Sequence, residues 1–222
     1  LGDQAVLRLH GAHVLVVGLG GVGSWAAEAL ARSGVGRLTL VDFDLVCVTN
    51  INRQLGALRG TVGQPKASVL AERPDFVLDA IDNLTAKCDL RARCRQLAIP
   101  VVCCTGASGR LDPTRVRTAD LAHTRIDPLA ASARKILRQK HGFPRTGDFG
   151  IPAVYCEEPL QPSRTLAYDG DDGFHCVCPG GDNDHHSCDD RNVIWGTAGF
   201  VTGAMGFAAA GLVVRALSAE PA

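Results

Sequence analysis

The strongest constraint on this chain is a glycine string set directly behind a short apolar run. Ala12 to Val17 reads as a buried parallel strand, and Gly18-Leu19-Gly20-Gly21-Val22-Gly23 follows it at once. Glycines in the pattern G-x-G-x-x-G let the backbone turn sharply and approach a phosphate, while the helix opening behind them aims its free N–H groups at the same point. Ser24 to Ser33 supplies that helix, with Trp25, Ala26, Ala29 and Leu30 on one apolar face and Gly34 and Gly36 as its stop. Arg37 to Val41 reads as the next strand, ending at Asp42, where a ribose-binding carboxylate would stand. Strand, turn, helix and strand form a βαβ unit, which commits the chain to the α/β class. The glycines and Asp42 alone leave NAD and ATP both open.

The same alternation continues. Gly63 to Arg73 reads as a short helix carrying Lys66, and Phe76 to Ala80 as a strand running into Ile81-Asp82-Asn83. Thr85 to Leu97 reads as a helix, Pro100 to Thr105 as a strand leading into Gly106-Ala107-Ser108-Gly109, and Ala130 to His141 as another helix. The expected fold is Rossmann-like, a mainly parallel sheet with helices on both faces. One domain over 1–222 is expected: a nucleotide-binding core over 1–129, a crossover helix and loops over 130–193, and an apolar helical region over 194–217. Ile194 to Val214 holds no charged residue and is long enough for a membrane span. It is rich in Gly and Ala, with Gly199 and Gly203 spaced as G-x-x-x-G, and small residues partition weakly into lipid. A helix packed in the core or at a subunit interface is the expectation, with no transmembrane anchor.

Charge narrows the partners. Lys plus Arg and Asp plus Glu are 23 each, so no whole-protein basic field for nucleic acid exists. A local patch remains, because Arg134, Lys135, Arg138 and Lys140 crowd one helix, either as a solvated face or as a contact for an RNA backbone. The nine cysteines are odd in number and several sit in apolar runs, which reads as buried reduced thiols in an intracellular, cytoplasmic protein, or a mitochondrially associated one in a eukaryote. Leu1 to His10 carries charges and no apolar signal-peptide core.

Polar residues beyond the glycines decide between nucleotides. Hydride transfer has no use for Asn52-Arg53-Gln54, Lys66 and Asp82-Asn83 around one sheet edge. Cleavage of a triphosphate needs cations over the developing charge and a carboxylate for Mg²⁺. Taken singly, Arg53 and Lys66 read equally well as surface cations and Asp82 as a helix N-cap. Together with the glycine turn they point to ATP.

These segments, namely Gly18 to Ser24, Asp42-Phe43-Asp44, Asn50 to Gln54, Lys66 and Asp79-Ala80-Ile81-Asp82-Asn83, resemble the ubiquitin-activating-enzyme-like adenylating superfamily, which includes the enzymes that activate sulfur carriers. Gly21 to Arg32, and Gly106 to Thr114 followed by Asp120, Thr124, Asp127, Pro128 and Leu129, resemble more narrowly the tRNA threonylcarbamoyladenosine dehydratases. The resemblance implies that ATP adenylates a carboxylate on the modified base beside the anticodon. An atom of the same side chain then closes a ring and releases AMP, a net loss of water. It implies that Gly18, Gly20, Gly21, Gly23 and Ser24 line the nucleotide and that Asp42 holds the ribose. Asn52, Arg53 and Lys66 would surround the phosphates, with Asp44, Gln54 and Asn83 nearby, and Asp82 would bind Mg²⁺. Arg53, Lys66 and Asp82 would be the catalytic residues. It further implies a homodimer acting on modified tRNA, and leaves room for a sulfur-relay or other protein partner.

Two features depart from that pattern. A strand and a long loop are expected between Arg73 and Pro74, where roughly 20–30 residues are absent, far more than a short connection accounts for. The segment Asp169 to Asp190 is unlike the bacterial pattern. It carries Cys176, Cys178, His185, His186 and Cys188, enough donors for a tetrahedral zinc site though not at a standard spacing. Cys103, Cys104 and Cys156 are expected to be buried and not nucleophilic. Three other activities fit parts of the pattern. One is adenylation of the C-terminus of a sulfur-carrier or ubiquitin-like protein, which needs a reactive cysteine. The others are an NAD-dependent oxidoreductase and a nucleotide-binding scaffold without turnover.

Overall fold

Every strand of the described chain belongs to a single sheet. The computed structural model describes residues 2–42, 74–162 and 196–220. Six strands lie in the order β2-β1-β3-β4-β6-β5. They are β1 (His13–Val17), β2 (Arg37–Val41), β3 (Phe76–Asp79), β4 (Val101–Cys104), β5 (Val116–Asp120) and β6 (Pro152–Cys156). β1 to β4 and β6 run parallel, and β5 pairs antiparallel with β6. The sheet is thus mainly parallel, with the mixed pair at one edge.

Helices cover both faces, as parallel strands require when both of their sides must be dry. On one face lie α1 (Asp3–Gly11), α2 (Gly21–Arg32) and α5 (Gly199–Ser218), and on the other α3 (Leu84–Gln96) and α4 (Pro128–Lys140). The first core joins Leu9, Val14, Val16, Ala26, Leu30, Leu78, Met205 and Ala209. The second joins Val77, Cys88, Cys103, Leu121, Ala133, Leu137 and Ile151. Both are short of large aromatics, so packing depends on close approach of backbones.

α5 shows this directly. It is long and apolar enough to cross a membrane by length and composition, yet Val201, Thr202, Met205, Gly206, Ala209, Ala210 and Val213 are buried in the domain. A Cβ on Gly206 would sit 2.6 Å from the Val22 carbonyl oxygen and 2.8 Å from Trp25 Cβ, so α5 can lie on α2 only through a glycine there. Gly203 has ordinary room, 3.8 Å from the Trp25 ring. The small-residue contact therefore falls at Gly206, not at the expected Gly199–Gly203 spacing. α1 and β5 were not foreseen in the sequence.

β2 ends the described sheet on one side. Its Arg37 is exposed and Leu38, Thr39 and Leu40 are only half-buried, whereas β3 and β4 are buried throughout. That is the burial of an outer strand among the described residues.

Candidate active site

Strand register builds the site. Val17 pairs with Val41 on β2 and with Asp79 on β3, and Asp79 pairs with Cys103 on β4. Gly18, Asp42, Ala80 and Cys104 therefore stand side by side at the carboxyl edge, where open α/β sheets take their ligands.

Backbone contacts close the glycine turn. Gly18 N donates to Val41 O at 2.8 Å and Ala80 N to Val17 O at 2.8 Å. Gly18 has φ +89°, and a Cβ there would lie 2.7 Å from Ala80 O. Gly23 passes closer still, since a Cβ would fall 1.7 Å from Gly18 O. The Asp42 carboxylate accepts from Leu19 N at 2.5 Å, tying the end of β2 to the turn. Gly20 is the N-cap of α2, and no side chain of the described residues caps the helix. The Ser24 hydroxyl turns back to Gly20 O at 2.8 Å. The first-turn N–H groups of α2, which have no intrahelical acceptor by geometry, therefore face the edge uncapped. A phosphate fits that terminus, with Asp42 beside it.

The β3–α3 turn contributes a second group. Asn83 Oδ1 accepts from Ala86 N at 3.0 Å, so Asn83 is the N-cap of α3. Asp82, which could have been the cap, is released from that duty and lies exposed with no partner among the described residues. Its carboxylate is free to hold a divalent cation.

A buried ionic group that was not foreseen supports this turn. Asp79, fully buried at the end of β3, accepts from Lys87 Nζ at 2.8 Å, Arg91 Nε at 2.9 Å and Ile81 N at 3.1 Å. Arg91 Nη2 also reaches Cys103 Sγ at 2.6 Å. Burial pushes the Cys103 thiol up, and Arg91 and Lys87 offset that only in part. Two cations thus share one buried carboxylate, and the effect of substitution depends on which charge is removed. Asp79→Asn strands two buried cations and should destabilise the fold by about 3–5 kcal/mol, whereas Lys87→Met leaves a balanced Asp79–Arg91 pair and should cost well under half as much. Urea unfolding of the two variants checks the order. The one available signal was that α3 lacks an apolar face: its core side carries Lys87 and Arg91 beside Cys88 and Ala92.

Of the expected site residues, Gly18, Gly20, Gly21, Gly23, Ser24, Asp42, Asp82 and Asn83 come together at this edge. Asp44, Asn52, Arg53, Gln54 and Lys66 lie outside the described residues, as do Cys176, Cys178, His185, His186 and Cys188. Cys103, Cys104 and Cys156 are buried, as expected, and burial pushes the Cys104 thiol up strongly.

A parallel sheet with an uncapped helix terminus behind a glycine turn and a free carboxylate on the next strand end defines a nucleotide-binding enzyme of the adenylating kind, and residues 1–74 match the ThiF family. The chain is 42% identical over 188 residues to the tRNA threonylcarbamoyladenosine dehydratase of Haemophilus influenzae, covering 71% of this chain and 72% of that protein. It is 38% identical to the Escherichia coli enzyme of the same name, over 100% of this chain and 91% of that protein. That second alignment spans 252 positions against a chain of 222, so the relative carries residues where this chain has none. The structure of the Escherichia coli enzyme in complex with ATP superposes with a TM-score of 0.78 at 35% identity, covering 97% of this chain and 89% of the other. The same enzyme has been solved with AMP, with a TM-score of 0.78. The chain belongs to the tRNA threonylcarbamoyladenosine dehydratase family.

Proposed function

We propose that this chain catalyses the ATP-dependent cyclisation of threonylcarbamoyladenosine beside the tRNA anticodon. The observation that carries the reading is the pairing of a nucleotide cradle with a free carboxylate, Asp82, on the adjoining strand end. The α2 terminus and Gly18 to Gly23 take the phosphates, and Asp42 takes the ribose. Asp82 would hold Mg²⁺, which would offset the phosphate charge. We assign Arg53 and Lys66 to the catalytic set with Asp82, and Asn52, Gln54, Asp44 and Asn83 to nucleotide binding.

In the first step an oxygen of the substrate carboxylate bonds to the α-phosphorus. The bond from that phosphorus to its bridging oxygen breaks, and pyrophosphate leaves with the electron pair. In the second step an atom of the same side chain bonds to the acyl carbon. The C–O bond to AMP breaks, AMP leaves carrying the former carboxylate oxygen, and the displaced proton passes to solvent. The test is AMP release from ATP with and without tRNA bearing threonylcarbamoyladenosine. AMP that appears only with the modified tRNA supports the reading, and release that ignores the modification overturns it.

Ring closure needs no thioester; Cys103, Cys104 and Cys156 are all buried, and burial pushes the Cys103 and Cys104 thiols up, which makes those two poor nucleophiles. Folded variants with Ser at Cys103, Cys104 and Cys156, and separately at Cys176, Cys178 and Cys188, should still close the ring. A folded variant that accumulates acyl-adenylate would instead favour a sulfur-carrier type of chemistry.

Two surface features support the proposed partners. Lys135 and Lys140 are exposed on α4, with Arg134 and Arg138 half-buried beside them, and we assign this face to the tRNA backbone. Phe200 and Phe207 on α5 are 58% and 52% exposed, and Phe207 meets the Trp25 ring edge-on at 5.7 Å. Such an apolar stripe suits a second copy of the chain. Light scattering at micromolar concentration should give twice the 23.4 kDa chain mass, and a monomer would count against the dimer.

A further inference from the structure

We infer that the peptide joining Gly106 to Ala107 is an oxyanion-binding element, and that Arg110 is the positioning residue that turns its N–H toward the substrate. The inference rests on the proposed activity and adds to it a donor for the acyl oxygen.

Register puts the peptide at the right height. Asp79 pairs with Cys103, so Asp82 and Gly106 each lie three residues beyond paired positions. Their strands are neighbours, about 4.8 Å apart. Both turns therefore leave the sheet at the same carboxyl edge, so a substrate whose carboxylate is placed beside Asp82 has the Gly106 loop on its neighbouring strand end.

The loop is locked from within. Arg110 is 1% exposed. Its Nη1 donates to Gly106 O at 2.6 Å and more weakly to Ser108 O at 3.4 Å. Its Nε donates to Glu158 O and its Nη2 to Asp127 Oδ2, both at 3.3 Å. Asp127 Oδ2 also accepts from Thr105 Oγ1 at 2.7 Å and Gly106 N at 3.1 Å, while its Oδ1 caps α4 through Ala130 N at 2.8 Å. Glu158 Oε2 accepts from Leu111 N at 2.8 Å and Asp112 N at 2.7 Å. Ile126, immediately before Asp127, holds φ 59°, a left-handed conformation that β-branched residues avoid unless their surroundings impose it. The strain brings one carboxylate to both the loop and the helix.

This network fixes a direction. C=O and N–H point opposite ways across a trans peptide. With Gly106 O drawn inward by buried Arg110, Ala107 N–H is turned outward. Gly106, Gly109, Leu111 and Asp112 spend their N–H groups on Asp127, Gly196 O and Glu158, while the N–H groups of Ala107, Ser108 and Arg110 have no acceptor among the described residues; of these, Ala107 N–H is the one that shares its peptide with the carbonyl held at 2.6 Å by Arg110. It is a fixed donor, needing no reorganisation when negative charge develops on the acyl oxygen as the ring closes.

The direct test replaces Ala107 by its α-hydroxy acid, lactic acid, which removes the N–H and leaves the side chain intact. The ester variant should lose about 10²–10³-fold in kcat for AMP release with modified tRNA, while KM for that tRNA and the Kd for AMP stay within about twofold. Arg110→Met should lose as much in kcat, and Arg110→Lys should recover part of it. An ester variant with wild-type kcat overturns the inference. So do Arg110 variants in which kcat, KM and AMP affinity move together, since that marks a merely structural residue. A wild-type protein that releases no AMP with modified tRNA takes down the proposed function itself, and this inference with it.

Discussion

Asp82→Asn is expected to lower tRNA-dependent ATP–pyrophosphate exchange by about 10³-fold while leaving the thermal midpoint almost unchanged. The magnitude follows from the metal role proposed for Asp82, since a metal's charge over the phosphates is worth several kcal/mol of barrier. The unchanged stability follows from the turn. Asp82 is exposed and accepts nothing from α3, because Asn83 supplies the cap. Asn83→Ala is the complementary variant, costing about 1 kcal/mol of stability through the lost cap and little in the chemistry. Near-normal exchange in folded Asp82→Asn would remove the metal role from this residue.

The separation of Asp82 from Asn83 illustrates what was legible in the sequence. Both stood out at a strand end, but which would be the cap depends on backbone angles that the letters do not carry. β1, α2 and β2 were readable because glycine and apolar spacing follow the same physical rule in sequence and in space. α1 was not. Ala5 and Leu9 are buried but Val6 and Leu7 face out, so its pattern is too short and too weak to announce a helix. β5 escaped for a related reason: as an outer strand it leaves Arg117 and Thr118 exposed and has no apolar run to mark it. The ionic groups around Asp79 and Arg110 were hidden by a sound prior, since lysine and arginine are seldom fully buried unless paired, and the pairing is long-range. Asp127 appeared only as part of a resembling segment. Its contacts to Thr105, Gly106 and Arg110 needed the fold.

Gly23→Ala is expected to have the largest combined effect, destabilising the chain by about 3 kcal/mol and abolishing measurable AMP binding. The added Cβ would lie 1.7 Å from Gly18 O and 3.2 Å from Ala80 Cβ, well inside contact distance. Relief requires moving either the turn or the helix. The turn is tied down by Gly18 N to Val41 O and by Leu19 N to Asp42. α2 is pressed from its other side by α5, which approaches the Val22 carbonyl at Gly206. Neither side can yield without breaking a contact that forms the phosphate cradle, so stability and binding fall together. Gly20→Ala separates the two effects. A Cβ there meets nothing within 4 Å, and Gly20 has φ −70°, a value ordinary residues adopt. Its methyl group would instead project beside the uncapped helix terminus. Thermal melts paired with AMP titration should therefore show Gly20→Ala keeping its melting point while losing affinity, and Gly23→Ala losing both. Equal behaviour of the two variants would mean that the glycine turn serves packing alone.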